Sequence, residues 1–359
     1  MEYFTITLIT ILVSAVAITL QVFFFSPISP DLLELPPSPP FFTPNNHLQK
    51  VIKLGEGILK QPEDVFMDKK GVLYTATRDG WIIRLHKNGT IENWKKMHNR
   101  HTLLGLIKTR GGDLIVCDTE EGLIKVSEDG DVTSLATHLN GESIRFADDV
   151  AEAPDGSLYF SVASTKYGLH EWHLDFLEAK PHGQLLKYDP FTKETTLVLD
   201  GLGFANGVAV SMDQEFLVVC ESMKFRCLKY WLKDEKRGKV EIFIENLPGS
   251  PDNIKLAPDG SFWVALLQFS SNKMKFIHSS KAIKHLLATF PKLFEQIKAT
   301  GRSAMVMNIG SDGRIIKTLD DPNGKVVSFV TSVLEFEGNL YLGSLKNDFI
   351  GKLPLESVL

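Results

Sequence analysis

The sequence predicts an all-β fold, a six-bladed β-propeller with helical cover insertions, preceded by an N-terminal hydrophobic helix. Five short runs of alternating apolar residues begin at a glycine, and a sixth, "QEFLVVCE", has the same pattern without it. Apolar alternation after a Pro, Asp or Gly turn indicates a β-strand. The runs begin at Gly71, Gly112, Gly156, Gln214, Gly260 and Gly338. Three of the spacings, 41, 44 and 46 residues, match the roughly 40–50 residues of a four-stranded blade.

Two longer spacings, of 58 and 78 residues, contain insertions at residues 165–182 and 270–303. The second insertion shows the periodicity of an amphipathic helix, interrupted by Pro291. Its apolar positions are Ile283, Leu286, Leu287, Phe290, Leu293, Phe294 and Ile297. We expect both insertions to cover one face of the propeller. The strand "KVIKL" at 50–54 is predicted to complete the last blade.

An apolar run from Phe4 to Phe25 dominates the N-terminus. It reaches the roughly 20 residues that span a bilayer and exceeds the core of about 7–15 residues in a signal peptide. The length favours an uncleaved anchor, and cleavage after Ala17, in an A-x-A pattern, is the alternative. We therefore predict a signal anchor or signal peptide at 1–25, a Pro-rich linker at 26–45 that extends between membrane and domain, and the propeller at 46–359. Both alternatives direct the chain into the secretory pathway, to the endoplasmic reticulum or vacuole.

The composition indicates a globular protein that binds small molecules. The 359 residues are 43% apolar and 10% aromatic, enough to bury a large core. The net charge is −5, and the sequence contains no long run of basic residues. Both observations argue against a surface that binds nucleic acid. The expected partners are a small-molecule substrate and, through the N-terminal segment, a membrane. The propeller is expected to be a monomer.

The three cysteines leave at least one thiol unpaired. Cys220 and Cys227 would face each other across a hairpin if Met223 and Lys224 formed its two-residue turn. A disulfide at this position and three buried free thiols both fit the sequence. Asn88-Gly-Thr is a formal glycosylation site.

Polar residues recur eight positions before the start of most runs. The six positions are Glu63, Leu104, Asp148, Asn206, Asp252 and Val330. In a propeller the preceding strand is the innermost one, so its beginning lies beside the central channel and the six positions converge. Converging carboxylates repel each other, and Ca²⁺, which binds six to eight oxygens, would relieve this. The register lacks the Cys and His ligands that Zn²⁺ favours. Solvated turn residues are the alternative.

The flanking motifs "QPEDV", "FADDV", "FANGV" and "SPDNI" resemble the calcium-dependent phosphotriesterase superfamily, which includes paraoxonases and gluconolactonases. The segments "KYGLHEWHLDFLEAKPHGQLLKYDP" and "RCLKYWLK" resemble the plant strictosidine synthase-like proteins. The resemblance extends from about residue 46 to the end. It implies a six-bladed propeller with an active site at the channel mouth. It also implies calcium ligands at Glu63, Asn206, Asp252 and Asn253, with Asp148 in place of an Asn.

Two departures from these families divide the expected function. Leu104 occupies the place of the catalytic histidine of paraoxonases. Thr331 occupies the place of the glutamate that acts as acid and base in strictosidine synthases, and a hydroxyl cannot replace a carboxylate in that role because its pKa lies far above neutral pH. We therefore expect a calcium-dependent hydrolase of esters or lactones in which Asp148 or Asp252 activates water. The alternatives are a condensing synthase with another acid and a non-catalytic binding propeller with a structural metal.

Overall fold

The computed structural model describes residues 2–35, 42–97, 101–267, 271–298 and 303–358. Within these ranges, six four-stranded antiparallel sheets form the blades of a six-bladed β-propeller, which confirms the predicted fold. The linker residues 36–41, and residues 270 and 299–302 of the second insertion, lie outside the described residues.

The chain begins with an apolar helix and then forms the first three blades in order. Helix α1 spans Glu2–Phe25, and strand β1 spans Ile52–Leu54. Blade 1 contains β2 (Pro62–Met67), β3 (Leu73–Thr77), β4 (Trp81–Leu85) and β5 (Ile91–Lys96). Blade 2 contains β6 (Leu103–Lys108), β7 (Leu114–Asp118), β8 (Gly122–Val126) and β9 (Val132–Ala136), followed by a small hairpin of β10 (His138–Leu139) and β11 (Glu142–Ser143). Blade 3 contains β12 (Ala147–Glu152), β13 (Leu158–Val162), the inserted helix α2 (Trp172–Glu178), β14 (Gly183–Asp189) and β15 (Glu194–Leu202).

The remaining three blades follow the same plan. Blade 4 contains β16 (Ala205–Val210), β17 (Phe216–Glu221), β18 (Arg226–Trp231) and β19 (Val240–Ile244). Blade 5 contains β20 (Ser250–Leu256), β21 (Phe262–Leu267), helices α3 (Ser271–His278), α4 (Lys281–Thr289) and α5 (Pro291–Lys298), then β22 (Ala304–Ile309) and β23 (Ile315–Asp321). Blade 6 contains β24 (Val330–Phe336), β25 (Asn339–Ser344) and β26 (Ile350–Pro354). Short 3-10 helices span His47–Lys50, Leu169–Glu171, Ser222–Lys224, Asp234–Lys236 and Leu355–Val358.

The N-terminal strand closes the ring, as the sequence predicted. Strand β1 pairs antiparallel with β26 and completes blade 6, with Lys53 opposite Gly351. The inner strands β2, β6, β12, β16, β20 and β24 contact one another in turn around the channel. The N-terminal and C-terminal strands of the propeller are thereby joined by hydrogen bonds within one sheet.

The apolar core lies between neighbouring blades. The second strand of each blade is buried on both faces, because another blade packs against each side of its sheet. Tyr341 and Ile350 of blade 6, for example, pack with Val65 and Ile83 of blade 1. This packing explains why these runs carry apolar residues at nearly every position.

The two insertions form a helical cover, as predicted. The second contains three helices, and Pro291 begins α5, a position where its missing N–H leaves no hydrogen bond broken. Buried residues of α2 to α5, including Phe176, Leu177, Leu287 and Phe294, form one cluster within the cover.

The described part of the Pro-rich linker, which the sequence predicted to be an extended spacer, packs against this cover. Ser29 N–H donates to Glu178 Oε1 at 2.8 Å, and Leu33 N–H donates to the carbonyl oxygen of His278. Ile28 is buried in the cover cluster. Helix α1, whose segment Tyr3–Phe25 could cross a membrane by length and composition, therefore ends directly beside the cover.

Cys220 and Cys227 form a disulfide at directly opposed positions of β17 and β18, which settles the two alternatives left by the sequence. The turn between the strands is longer than the two residues predicted, because Glu221 pairs with Arg226 and residues 222–225 make the turn. Cys117 is a buried free thiol, and burial raises its pKa well above the usual value.

A β-bulge near the start of each inner strand sets the register of the channel residues. In each blade, one residue of the inner strand is the last to pair with the second strand before the bulge. These residues are Pro62, Leu103, Ala147, Ala205, Pro251 and Val330. The equivalents of Glu63 are therefore Leu104, Asp148, Asn206, Asp252 and Thr331. Assigning Val330 to the sixth position was wrong by one residue, because blade 6 turns through only Glu337 and Gly338 between β24 and β25.

Candidate active site

The bulges bring the predicted residues together at one mouth of the channel. Glu63, Asp148, Asn206 and Asp252 line a single cavity of about 530 Å³. Each is only 3–5% exposed, although each is polar. Asn253, the fifth predicted ligand, is fully buried and contacts Glu63. The four cavity residues come from blades 1, 3, 4 and 5, so the assembled ring is required to form the site.

Glu63, Asp148, Asn206 and Asp252, together with the adjoining Asn253, form the floor of the cavity. The hydrogen bonds among these residues leave several acceptor atoms unpaired. Asn253 Nδ2 donates to Glu63 Oε1 at 2.8 Å, and the Asn206 side chain forms a hydrogen bond with Asp252. Among the described residues, no donor reaches three buried oxygens, namely Glu63 Oε2, Asn206 Oδ1 and Asn253 Oδ1. Burying a polar atom without a partner is costly, so such atoms indicate a place where a ligand or water binds.

The carboxyl groups of the floor have pKa values raised above those of ordinary Asp and Glu side chains. Burial, followed by repulsion from Asp252, raises the pKa of Glu63 well above its ordinary value. The same two causes raise the pKa of Asp148 well above its ordinary value. Burial and the nearby carboxylates of Asp149 and Asp64 raise the pKa of Asp252 to about 8, although the hydrogen bond from Asn206 opposes this. The floor therefore favours a bound proton or cation near its carboxylates.

The donor set suits a hard cation better than a soft one. Within the described ranges, no group of three His, Cys, Asp or Glu side chains is arranged to hold a metal ion by itself. Two of the three unpaired acceptors are amide oxygens, which such a group would not contain. Oxygen atoms of Glu63, Asn206 and Asn253, supplemented by Asp148 and Asp252, match the ligand chemistry of Ca²⁺. The residues present thus fit calcium, and the ligand set remains a prediction.

A second layer of charged residues lies directly beneath the floor, and the sequence analysis missed it. Lys255 Nζ lies 2.8 Å from Asp64 Oδ2 and 3.1 Å from Asp149 Oδ1, and both carboxylates are fully buried. Asp64 also accepts from Leu106 N–H, and Asp149 from Val208 N–H, each at 2.9 Å. These bonds join the inner strands of five blades. The sequence did contain a signal for the two acids of this layer, because Asp64 directly follows Glu63 and Asp149 directly follows Asp148.

Two glycines in this layer allow the inner strands to approach closely. A Cβ atom on Gly105 would lie 2.6 Å from the carbonyl oxygen of Asp148, and one on Gly207 would lie 2.4 Å from the backbone nitrogen of Ile254. Any larger side chain would push neighbouring blades apart at the channel. Backbone packing thus fixes the spacing of the residues above.

The walls of the cavity are mainly apolar. Leu169, Trp172 and Phe176 of the cover line it together with Phe146 and Phe204, and the rings of Phe146 and Phe204 pack edge-to-face at 5.5 Å. Leu104, at the position equivalent to Glu63, also lines the cavity. Thr331 is fully buried, and its Oγ1 donates to the carbonyl oxygen of Glu63 at 2.7 Å. An apolar cavity with converging polar groups is the usual form of a small-molecule site.

The fold and the cavity together define the class of protein: a six-bladed propeller with a small-molecule site at the mouth of its central channel. Family models described as "Strictosidine synthase" and "Strictosidine synthase-like, N-terminal" match residues 148–235 and 41–85. Protein STRICTOSIDINE SYNTHASE-LIKE 4 of Arabidopsis thaliana is 34% identical over 309 residues, covering 84% of this chain and 81% of the relative. The chain belongs to the strictosidine synthase-like family.

More distant similarities extend beyond plants. The adipocyte plasma membrane-associated protein of Mus musculus is 32% identical over 360 residues, covering 93% of this chain and 85% of that protein. A gluconolactonase structure from Xanthomonas campestris superposes with a TM-score of 0.62 at 14% identity, covering 92% of this chain and 99% of that one. The calcium-binding protein regucalcin from Agrobacterium tumefaciens gives a TM-score of 0.57 at 13% identity, covering 84% and 92%. At these identities, the two structures show a shared fold.

Proposed function

We propose that this propeller is a calcium-dependent hydrolase of esters or lactones. The observation that carries the proposal is the set of unpaired buried oxygens of Glu63 and Asn206, which line the cavity, and of Asn253, which donates to Glu63. The proposal is supported by structural similarity to a gluconolactonase and to regucalcin, a calcium-binding protein.

The residues divide the work of hydrolysis between floor and walls. Calcium, when bound, supplies a Lewis acid that polarises a carbonyl oxygen and stabilises the oxyanion. Glu63, Asn206 and Asn253 would hold it, with Asp148 and Asp252 beside them. Asp148 or Asp252 accepts the proton of the attacking water. The aromatic walls bind the apolar part of the substrate and exclude bulk water.

The contacts of Thr331 favour hydrolysis over condensation by a strictosidine synthase mechanism. Its hydroxyl is fully buried and donates to the carbonyl oxygen of Glu63, so it serves as a structural hydrogen-bond donor. A condensing enzyme of that mechanism needs an acid/base group with a pKa near neutral pH, and the pKa of a threonine hydroxyl lies far above it.

We also propose that α1 anchors the propeller in a membrane of the secretory pathway. The proposal is supported by the length of α1 and by its junction with the cover, where the rings of Phe23 and His285 lie 4.8 Å apart. The mouse relative is, by its name, membrane-associated.

The proposed activity is tested on the detergent-purified full chain with phenyl acetate and a δ-lactone. We expect hydrolysis that is abolished by EGTA and restored by calcium. Asp252→Ala should reduce the rate at least about a hundredfold, as expected for loss of a group that acts in the transition state. Asp312→Ala, at a residue with a 58% exposed side chain far from the cavity, is the matched control and should retain the wild-type rate. Hydrolysis that is indifferent to EGTA and to Asp252→Ala would contradict the proposal.

A further inference from the structure

Arg78 contributes a positive charge to the wall of the cavity. It follows β3 in blade 1 and lines the same cavity as Glu63 and Asp148. Its backbone N–H donates to the carbonyl oxygen of Lys60 at 3.1 Å, which fixes the loop that carries it. The guanidinium is half-buried, and burial lowers its pKa although Glu63 opposes the shift. The arginine therefore sits where desolvation is costly for a cation.

The neighbouring acid of Arg78 is already paired with other groups. Asp79 Oδ1 accepts from Thr77 Oγ1 at 2.7 Å, and Asp79 Oδ2 lies 3.3 Å from Lys60 Nζ. Among the described residues, no carboxylate lies within ion-pair distance of the Arg78 guanidinium. A half-buried arginine in a cavity wall without an anionic partner has unused donor capacity.

The charges of the wall are arranged asymmetrically. Lys346, which also lines the cavity, follows β25 in blade 6, which adjoins blade 1. The aromatic wall of Trp172, Phe176 and Phe204 comes from blades 3 and 4, across the channel. Cations therefore lie on the side of blades 6 and 1 and aromatic rings lie across the channel, while Glu295 of the cover also lines the cavity. This polarity matches an amphiphilic ligand with an anionic end.

We propose that Arg78 binds an anionic group of the substrate, a carboxylate or a phosphate, while the apolar body of the substrate lies against the aromatic wall. The inference rests on the proposed function, because it specifies the substrate class of the same site as anionic amphiphilic esters or lactones. A guanidinium binds either anion through two parallel hydrogen bonds. The anion also offsets the repulsion between Arg78 and a cation held at the floor, which otherwise weakens cation binding.

Ligand binding tests this inference independently of hydrolysis. The melting temperature of the full chain is measured with octanoate, octyl phosphate and 1-octanol, with EGTA present so that calcium does not bind the anions. We expect one or both anions to stabilise the wild type more than the alcohol does, and the stronger anion identifies the preferred group. Arg78→Gln should abolish the difference, and Arg78→Lys should retain part of it. Arg314→Gln, at a side chain that is 88% exposed, should retain all of it.

The kinetic test compares two esters with similar chains, mono-4-nitrophenyl glutarate and 4-nitrophenyl pentanoate. A hydrogen-bonded charge pair predicts a kcat/KM for the anionic ester about tenfold to a hundredfold higher, and Arg78→Gln should reduce this ratio by the same factor. Equal stabilisation by octanoate, octyl phosphate and octanol in the wild type would overturn the inference, as would an unchanged anion preference in Arg78→Gln. If neither ester is hydrolysed, the proposed function fails, and the binding result still decides the role of Arg78.

Discussion

Lys255 Nζ lies 2.8 Å from Asp64 Oδ2, so an ammonium group of blade 5 neutralises a carboxylate of blade 1 deep inside the channel. The same ammonium contacts Asp149 of blade 3. Burial acts to lower the pKa of Lys255, but attraction to Asp149 and Asp64 outweighs it and raises the pKa above the ordinary value. This ion triad connects blades that do not adjoin in the ring.

Removing the ammonium should destabilise the propeller strongly. Lys255→Met leaves two buried carboxylates without their cation, and breaking a buried ion pair in this way costs about 3–5 kcal/mol of unfolding free energy. Denaturant unfolding of the full chain measures the loss. Lys325→Met, at an exposed lysine, should stay within about 0.5 kcal/mol of the wild type. A similar small effect for Lys255→Met would show that the triad is not a structural element.

Calcium should stabilise the fold if the floor residues bind it. An ion that binds only the folded state adds about 2.7 kcal/mol when it is present at a hundredfold excess over its Kd. EGTA should therefore lower the melting temperature, and Asp252→Ala should remove the response to calcium.

Asn206→Asp provides a sharper form of the same test. The change keeps an oxygen ligand but adds a negative charge beside Asp252, so the calcium-free protein should lose stability while the calcium-bound protein largely keeps it. Asn323→Asp, at an exposed position, should change neither form. Melting that is unaffected by EGTA, by Asp252→Ala and by Asn206→Asp would leave these side chains as turn residues without a metal.

The sequence was informative wherever one local rule determined the outcome. Alternation and glycine turns identified the six blades, and the recurrence of Asp148, Asn206 and Asp252 placed them on inner strands. Counting eight residues back from Gly338 gave Val330, whereas the residue equivalent to Glu63 is Thr331. The count failed because the length of a turn depends on local hydrogen bonding, which a repeat count ignores.

Contacts between blades were harder to predict than the blades themselves. The pairing of Lys255 with Asp64 and Asp149 joins residues separated by 191 and 106 positions, and it depends on how the ring closes. The linker contacts use Glu178 and the backbone N–H groups of Ser29 and Asp31, which a Pro-rich composition does not reveal. Such contacts are set by tertiary packing and not by local pattern.

The position of Thr331 predicts that the protein lacks strictosidine synthase activity. Because its hydroxyl is buried and bonded to the Glu63 carbonyl oxygen, the wild-type protein should form no strictosidine from tryptamine and secologanin. Product analysis by mass spectrometry, with an authentic strictosidine synthase as positive control, measures this directly. Robust formation of strictosidine would show that another acid serves in the cavity.

The anchor hypothesis predicts how the protein partitions with membranes. If α1 spans the bilayer, the full chain should stay in the membrane fraction after alkaline carbonate washing, and the propeller should be protected from protease in intact microsomes. Replacing Leu12 and Val13, both exposed on α1, by lysines should release the protein, because charges at the centre of a span are costly. A wild-type protein released by carbonate would contradict the anchor and favour a cleaved signal peptide.

The last prediction concerns His278, a buried histidine of the cover. It is fully buried, neither ring nitrogen has a hydrogen-bond partner among the described residues, and burial, followed by repulsion from Lys284, lowers its pKa to about 3. The folded pKa lies below the unfolded value of about 6.5. The unfolded state therefore binds more protons, and stability falls as the pH drops from about 6.5 towards 3.

At about pH 5 this linkage costs roughly 2 kcal/mol relative to neutral pH. His278→Phe, which keeps a ring beside Phe176, should remove that part of the acid sensitivity. The difference in melting temperature between the variant and the wild type should therefore grow as the pH is lowered from 7.5 to 5, since the two proteins differ in no other titratable group. His138→Phe, at an exposed histidine, should show no such growing difference. Parallel pH profiles for His278→Phe and the wild type would show that the pKa of His278 is not lowered in the folded protein, and would contradict the prediction.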